Sequence, residues 1–226
     1  MGTLYLIRHG QASFGADDYD RLSALGHRQS LQLGRFLGQR AAKEQWQPAR
    51  VLMGSLRRHR ETWAGLAEGA QWRQTAEVFP ELNEYDSLAL IEALHPGPLP
   101  KPDTPELYRQ HFRWLREALL AWMDGQSTPR GMPRYEAFVA GIESVLRDVR
   151  KNPDDHVLLV SSGGPISTMV SRILQAPAAS SIELNLRIRN TALSELNFSA
   201  SRHTLLTYNT LPHLQDLQAS DWVTYA

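Results

Sequence analysis

Short apolar runs alternate along the chain with longer segments in which apolar residues recur every three or four positions. The short runs are bounded by polar or turn-forming residues, a pattern that predicts strands. They lie at residues 4–7, 50–53, 76–79, 157–160, 193–198 and 203–208. The fourth run is followed by Ser161-Ser162-Gly163-Gly164 and then by a helical pattern, which is typical of a buried parallel strand that turns into a helix.

Helical periodicity and capping residues predict the elements between these strands. Ser23 can cap a long first helix, and Thr104 followed by Pro105 combines a capping residue with proline in the first turn of another. Three further helices are predicted at residues 57–68, 135–149 and 165–174. Strands that alternate with helices indicate an α/β fold, a three-layer sandwich with a mainly parallel sheet and helices on both faces.

The organisation of the chain follows from these elements. Residues 1–226 are expected to form a single domain, with a mostly helical insertion at about 86–133. The insertion comes directly after Glu84, so it is well placed to cover a site at the sheet edge as a lid. In open α/β sheets the ligand lies beyond the carboxyl ends of the strands, and candidate chemistry is therefore sought there.

Composition narrows the class of protein. Lys and Arg together number 24, as do Asp and Glu, and this balance argues against a nucleic-acid-binding or membrane-surface protein. Without cysteine the chain has no disulfide, catalytic thiolate or Cys-ligated zinc. The sequence shows no signal peptide and no apolar run of membrane-spanning length, so a cytoplasmic protein is expected. Its oligomeric state is left open.

Charged residues follow the first strand and the second. Arg8-His9-Gly10 places a cation and an imidazole at a buried strand end, which is costly unless they bind an anion or pair with a core carboxylate. After the second strand, Arg57, Arg58, His59 and Arg60 fall in the first turn of a helix. A helix N-terminus with guanidinium groups suits phosphate. The alternative is a solvated basic face.

A carboxylate follows the third strand, because Glu84 lies in the segment Glu81-Leu82-Asn83-Glu84. At the same sheet edge it could act as a general acid or base, although acidic loops without such a role are common.

These segments together resemble the histidine phosphatase superfamily, the phosphoglycerate-mutase-like proteins. The matching segments run in the family's order: Arg8-His9-Gly10, residues 21–29 (RLSALGHRQ), Leu56-x-Arg58 with Thr62, Leu82-x-Glu84, Asn190-Thr191 and Pro212-His213-Leu214. Within the family's S-x-L-x-R-A-x-Q-T segment this chain has Gly54 for Ser, His59 for Ala and Glu61 for Gln.

The resemblance implies a role for each matching residue. His9 would be the nucleophile that forms a phosphohistidine, and Arg8 and Arg58 would hold the phosphoryl oxygens. Glu84 would protonate the leaving group and later activate water. The implied ligand is a small phosphorylated substrate or inorganic phosphate, and neither a metal nor a cofactor is expected.

The strand end at 157–164 departs from the family's V-S-H-G-G segment. Ser162 stands where the family has its second catalytic histidine, and a serine can donate one hydrogen bond but brings no charge. Loss of one preorganised donor typically costs about 10²–10³ in rate. The backbone N–H groups of Gly163 and Gly164 remain for a phosphate oxygen. His59 is a candidate to compensate, and the alternative is that it sits on the helix surface.

Three functions remain open on this basis. The first is a phosphomonoesterase with an altered second-histidine position. The second is an impaired pseudo-phosphatase that binds a phosphorylated metabolite or phosphoprotein, and the third, least favoured, is a phosphoglycerate mutase. The pair Glu92 and His95 has the spacing of a metal-binding helix but lacks a second copy, and Ser161 and Ser162 lack the G-x-S-x-G context of a serine nucleophile.

Overall fold

The computed structural model describes residues 1–13, 20–100, 104–153, 155–215 and 220–225. These residues contain a six-stranded sheet with the order β3-β2-β4-β1-β5-β6. The strands are β1 (Gly2–Arg8), β2 (Arg50–Met53), β3 (Glu77–Val78), β4 (His156–Ser161), β5 (Leu193–Phe198) and β6 (His203–Thr210). The first four in sheet order pair in parallel, whereas β5 and β6 pair antiparallel at one edge. The predicted mainly parallel sheet is confirmed.

Seven α-helices connect and cover the described strands. They are α1 (Ala24–Glu44), α2 (Arg57–Ala70), α3 (Ser87–Leu94), α4 (Pro105–Met123), α5 (Tyr135–Val149), α6 (Gly163–Ile173) and α7 (Ser180–Asn185). The predicted caps form, since the side chain of Ser23 accepts from the N–H of Gly26 and that of Thr104 from the N–H of Leu107. Helix α6 begins two residues before the predicted position, and α7 was not predicted.

The alternation of side chains along the central strands divides the core into two layers. Leu4 and Leu6 of β1 pack in a cluster with residues of α5 and α6, such as Ile142. Tyr5 and Ile7 point to the opposite face and join a second cluster with residues of α1 and α2. The sheet is thus covered on both faces, and the predicted three-layer α/β sandwich is confirmed.

Residues 86–133 contain α3 and α4, and these helices build an apolar cluster of their own. Ile91 of α3 and Leu119 and Trp122 of α4 pack there with Tyr135 at the start of α5 and Ile182 of α7. The indole Nε1–H of Trp122 donates to the carbonyl of Pro133, which satisfies its one polar group inside this cluster. Of the helices in the described residues, none has the length and apolar character needed to cross a membrane.

Candidate active site

The carboxyl ends of β1, β4 and β2 lie side by side and bring distant parts of the sequence together. Arg8 at the end of β1 is in register with Ser161 at the end of β4. The N–H of His9 donates to the carbonyl of Ser161 at 2.9 Å, and the N–H of Gly54, just after β2, donates to the carbonyl of Val160 at 3.2 Å. The polar segments that follow β1, β2 and β4 therefore lie around the same region at the edge of the sheet.

His9 is buried, and its hydrogen bonding fixes which ring nitrogen carries the hydrogen. Nδ1 lies 2.7 Å from the carbonyl oxygen of Gly10. Because a carbonyl oxygen can only accept, Nδ1 must be the donor, and Nε2 keeps its lone pair in the neutral ring. Burial and then the charges of Arg58 and Arg8 lower the pKa of His9 well below its ordinary value of 6.5. With Nδ1 as the donor, the lone pair of Nε2 is available to bond an electrophile.

The backbone of His9 is held by a segment that follows α7. The N–H of Thr191 and the side-chain amide of Asn190 donate to the carbonyl of His9 at 3.2 and 3.3 Å. Thr191 adopts the left-handed region with φ 54°, which is rare for a β-branched residue. Its hydroxyl lies 3.1 Å from Nε2 of the buried His213. Thr191 thus links the backbone of His9 to His213, and its unusual backbone conformation is held by these neighbours.

Two buried arginines supply positive charge beside His9. Arg8 is 8% exposed and Arg58 is 7% exposed, so the alternative of a solvated basic face is wrong for Arg58, although Arg57 and Arg60 are exposed. The Arg8 guanidinium donates to the carbonyl of Ile188. Arg58 pairs with Asp20 at 2.8 Å. Guanidinium groups at this depth are suited to bind an anion in a water-poor site.

Glu84 lies at the N-terminus of α6. Its Oε2 accepts from the N–H of Gly164 at 3.1 Å. A Cβ at position 164 would lie 2.1 Å from Oε1 of Glu84, so the glycine lets the carboxylate approach the helix backbone closely. The preceding residues are anchored to the sheet, since the hydroxyl of Ser161 donates to the carbonyl of Leu82 at 2.6 Å. Burial raises the pKa of Glu84 above its ordinary value of 4.5, partly offset by the Gly164 hydrogen bond and the nearby Arg58.

Ser162 is the residue before the first turn of α6 and makes no side-chain capping hydrogen bond, and Gly163 is the first residue of that helix. Ser162 is fully buried, and its hydroxyl lies 2.8 Å from Nε2 of His59 and 3.5 Å from Nη2 of Arg58. A Cβ on Gly163 would lie 2.0 Å from the side-chain oxygen of Asn185, so a larger residue there would displace the Asn185 amide. The first residues of a helix have no intrahelical acceptor for their N–H groups, which makes this helix end suited to an anion.

His59 lies inside the site. It is fully buried, and its ring centroid is 5.8 Å from that of His9, so the interpretation that places it on the helix surface is wrong. Burial, followed by the charge of Arg58, lowers the pKa of His59 to about 3. The ring is therefore neutral at physiological pH, and the positive charge of the site comes from the two arginines.

Gly54 provides the room for the imidazole of His59. A Cβ at this position would lie 2.2 Å from Nδ1 of His59 and 2.7 Å from the side-chain oxygen of Asn83. We expect Gly54→Ala to lower the free energy of unfolding by about 1–3 kcal/mol, because the added carbon overpacks a rigid contact. Urea denaturation measures this. As a control, the double variant Gly54→Ala/His59→Ala should recover part of the loss, and recovery of none would contradict the assigned contact.

The match to a family model decides the classification. The model of the histidine phosphatase superfamily (branch 1) matches residues 4–211, which include every strand end described above. The chain belongs to this superfamily. The resemblance stated from the motifs is thereby confirmed at the level of the superfamily.

Solved structures of histidine phosphatase fold agree over almost the whole chain. A phosphoserine phosphatase from Entamoeba histolytica in complex with 3-phosphoglyceric acid has a TM-score of 0.64 at 18% identity, covering 95% of this chain and 100% of that one. A mycobacterial glucosyl-3-phosphoglycerate phosphatase with inorganic phosphate has a TM-score of 0.61 at 24% identity, covering 92% and 97%. A phosphoglycerate mutase from Bacillus anthracis has a TM-score of 0.64 at 17% identity, covering 94% of each. No curated protein sequence matches the chain.

Two features of the site, one ion pair and one backbone conformation, had no clear signal in the sequence. Asp20, the partner of Arg58, is an acidic residue in a polar stretch without periodicity. The left-handed conformation of Thr191 is not encoded by the residue type, because threonine disfavours it. Of the Glu92 and His95 pair, His95 stacks on Trp114, and its Nε2 lies 3.2 Å from Oε2 of Glu117. Among the described residues no group of three or more His, Asp or Glu side chains is arranged to hold a metal ion.

Proposed function

We propose that this histidine phosphatase superfamily member is a phosphomonoesterase that works through a phosphohistidine on His9. The observation that carries the proposal is the buried imidazole of His9, whose Nδ1 donates to the carbonyl of Gly10 beside two buried arginines. A neutral nucleophile next to fixed positive charge suits attack on a phosphate dianion, since the anion is attracted and the nucleophile needs no deprotonation.

In the first step, Nε2 of His9 forms a bond to phosphorus while the ester P–O bond breaks. Protonated Glu84 gives its proton to the leaving alkoxide, so the alcohol departs neutral. The phosphorylated ring then carries a positive charge, and its Nδ1–H remains bonded to the carbonyl of Gly10. Arg8 and Arg58 offset the charge of the phosphoryl oxygens throughout, with N–H groups at Ser162 and Gly163 on the side of α6.

In the second step, the Glu84 carboxylate takes a proton from water as the water oxygen bonds to phosphorus. The P–N bond breaks and its electron pair returns to Nε2, which restores the neutral imidazole. Glu84 is again protonated, and phosphate leaves. No metal or cofactor is required by this sequence of steps, because the arginines carry the positive charge.

We further propose that residues 1–226 form a single domain. Within it, residues 86–133 act as a lid over the alcohol portion of the substrate. The support is the connection between Glu84 and this segment: Tyr85 directly follows Glu84, its ring lies 5.9 Å from that of Trp122, and its hydroxyl contacts Asn185. A small phosphorylated molecule is the substrate class that such an enclosed site would take.

The experiment that tests the proposal is an assay of the purified protein against a panel of phosphomonoesters in the presence of a metal chelator. We expect phosphate release, with Arg58→Ala as the inactive comparison. Absence of turnover, together with a rise in melting temperature on addition of phosphate or vanadate, would replace the phosphatase by the pseudo-phosphatase alternative, since binding alone stabilises the folded state. Transfer of the phosphoryl group to a second substrate rather than to water would favour the mutase.

The pH dependence of kcat/KM provides a further prediction, because it reports the ionisation of the free protein. His9 must be unprotonated, and its pKa lies below 6.5, so the acidic limb should fall below pH 6.5. Glu84 must be protonated, and its pKa lies above 4.5, so the alkaline limb should fall above pH 4.5. We expect a bell whose acidic limb reports His9 and whose alkaline limb reports Glu84. A profile with no fall on its alkaline side would contradict Glu84 as the acid.

A further inference from the structure

Three of the positions at which this chain departs from the superfamily's motifs lie in one place. Gly54, His59 and Ser162 come from the ends of two strands and the start of a helix, and His59 contacts both of the others. The fourth departure, Glu61, lies apart from this group and accepts from the N–H of Leu22 at 2.7 Å. The three departures therefore form one structural unit, in which an imidazole enters from α2 and ends on the hydroxyl that follows β4.

The direction of the hydrogen bond between Ser162 and His59 depends on the tautomer of His59. A guanidinium can only donate, so the long contact from Arg58 Nη2 at 3.5 Å uses the serine oxygen as an acceptor. A phosphoryl oxygen of a dianion can only accept. If the hydroxyl hydrogen of Ser162 is donated to such an oxygen, the 2.8 Å contact with His59 requires that Nε2 carries the hydrogen and donates to Oγ.

We propose that His59 is a positioning residue that turns Ser162 into an oriented hydrogen-bond donor to the phosphoryl group, and that Gly54 is the residue that admits it. The inference rests on the proposed phosphatase function and adds a residue to it. His59 donates from Nε2–H to Oγ of Ser162, whose own hydrogen then points to the substrate. We call this pair of hydrogen bonds, from His59 to Ser162 and from Ser162 to the phosphoryl oxygen, the relay. It contains no charged side chain.

A double-mutant cycle with substrate turnover tests the relay. The variants are Ser162→Ala, His59→Leu, their combination, and His59→Gln, whose side-chain N–H can reach the position of the imidazole Nε2. Ser162→Ala removes a donor to the phosphoryl group and should lower kcat by about 10²–10³. His59→Leu removes the group that orients this donor and should lower kcat by about 10- to 100-fold. KM should change less. The combination should be no worse than Ser162→Ala alone, and His59→Gln should keep most of the wild-type kcat.

Two results would overturn the relay. One is a combined loss equal to the product of the two single losses, which would show that the residues act independently. The other is His59→Gln as inactive as His59→Leu at an unchanged melting temperature, which would show that the N–H is not what matters. His27→Leu, at an exposed histidine, is the matched control and should retain wild-type kcat.

Anion binding distinguishes failure of the relay from failure of the phosphatase proposal. If the wild type turns over no phosphomonoester, the melting-temperature shift with vanadate still reports on the site. The shift should shrink in His59→Leu and be retained in His59→Gln if the relay exists. Equal shifts in wild type, His59→Leu and His59→Gln would reject the relay whatever the outcome for turnover.

An exchange of the two side chains gives an independent test. Ser162 is fully buried against His59, so Ser162→His alone adds a second ring where the first already lies. The variant Ser162→His/His59→Ala has room for one imidazole and should exceed both single variants in kcat. If Ser162→His alone is as active as the exchanged variant, the two rings do not compete for one volume, and the inference is wrong.

Discussion

Substitution of His9 by alanine should abolish turnover of every phosphomonoester that the wild type hydrolyses. Loss of a nucleophile that acts as a unit with its partners costs roughly 10⁴–10⁶ in kcat. The measurement is phosphate release at saturating substrate, accompanied by an alkaline denaturing quench and detection of an acid-labile, base-stable phosphoryl group on the wild-type protein. The alanine variant should lack that label, because the atom that bonds phosphorus is gone.

The matched control for His9→Ala is a second buried histidine outside the reacting group. His213 is 3% exposed and lies behind Thr191, so His213→Asn should affect the placement of His9 without removing the nucleophile. The labelled intermediate should still form in this control. Turnover by His9→Ala at the wild-type rate would reject the nucleophile assignment. Turnover by the wild-type protein without a detectable phosphoryl label would reject the covalent intermediate.

Glu84→Gln should lower kcat in a manner that depends on the leaving group. Glutamine keeps the shape of the side chain but cannot give a proton to the alkoxide. General acid catalysis contributes about 10²–10⁴ in rate, so alkyl phosphates should lose an amount of that order. A phenyl phosphate with a strongly acidic phenol needs little proton donation, and its first step should lose much less. Burst kinetics separate formation of the intermediate from its hydrolysis.

The contrast between the two substrates is the decisive observation for Glu84. If both lose activity equally in the burst phase, Glu84 acts in orientation or binding and the acid assignment is wrong. Asn83→Ala serves as the neighbouring control, since Asn83 anchors the same segment to Ser55 but has no carboxyl group that could donate a proton. Its effect on the two substrates should be the same.

Parallel strands and their ends could be predicted well from the sequence. The apolar runs at β1, β2 and β4 are short, continuous and bounded, and buried parallel strands leave that signature. Because parallel strands present their carboxyl ends at one edge, the positions of Arg8, His9 and Ser162 near one another followed from the pattern alone. The weaker elements were harder: β3 has only two residues, and α7 is too short to show a period.

The place of His59 could not be predicted in the same way. Helical spacing set its direction about 100° from that of Arg58, which left both a buried and an exposed position open. The outcome depended on an empty volume created by Gly54 on another segment and on a hydroxyl 103 residues away. Packing of this kind is a property of several chain segments at once, and a motif read along one segment does not contain it.

The sequence by itself determined the α/β architecture, the superfamily and the identity of the chemical groups at the strand ends. Local periodicity, caps and turn residues act over a few positions, so they are visible in the chain. Only the tertiary structure decided which groups are buried, which nitrogen of His9 carries the hydrogen, and that Thr191 is held at a left-handed φ. It also decided that Ser162 has a histidine partner, because burial and hydrogen bonding depend on neighbours from other elements.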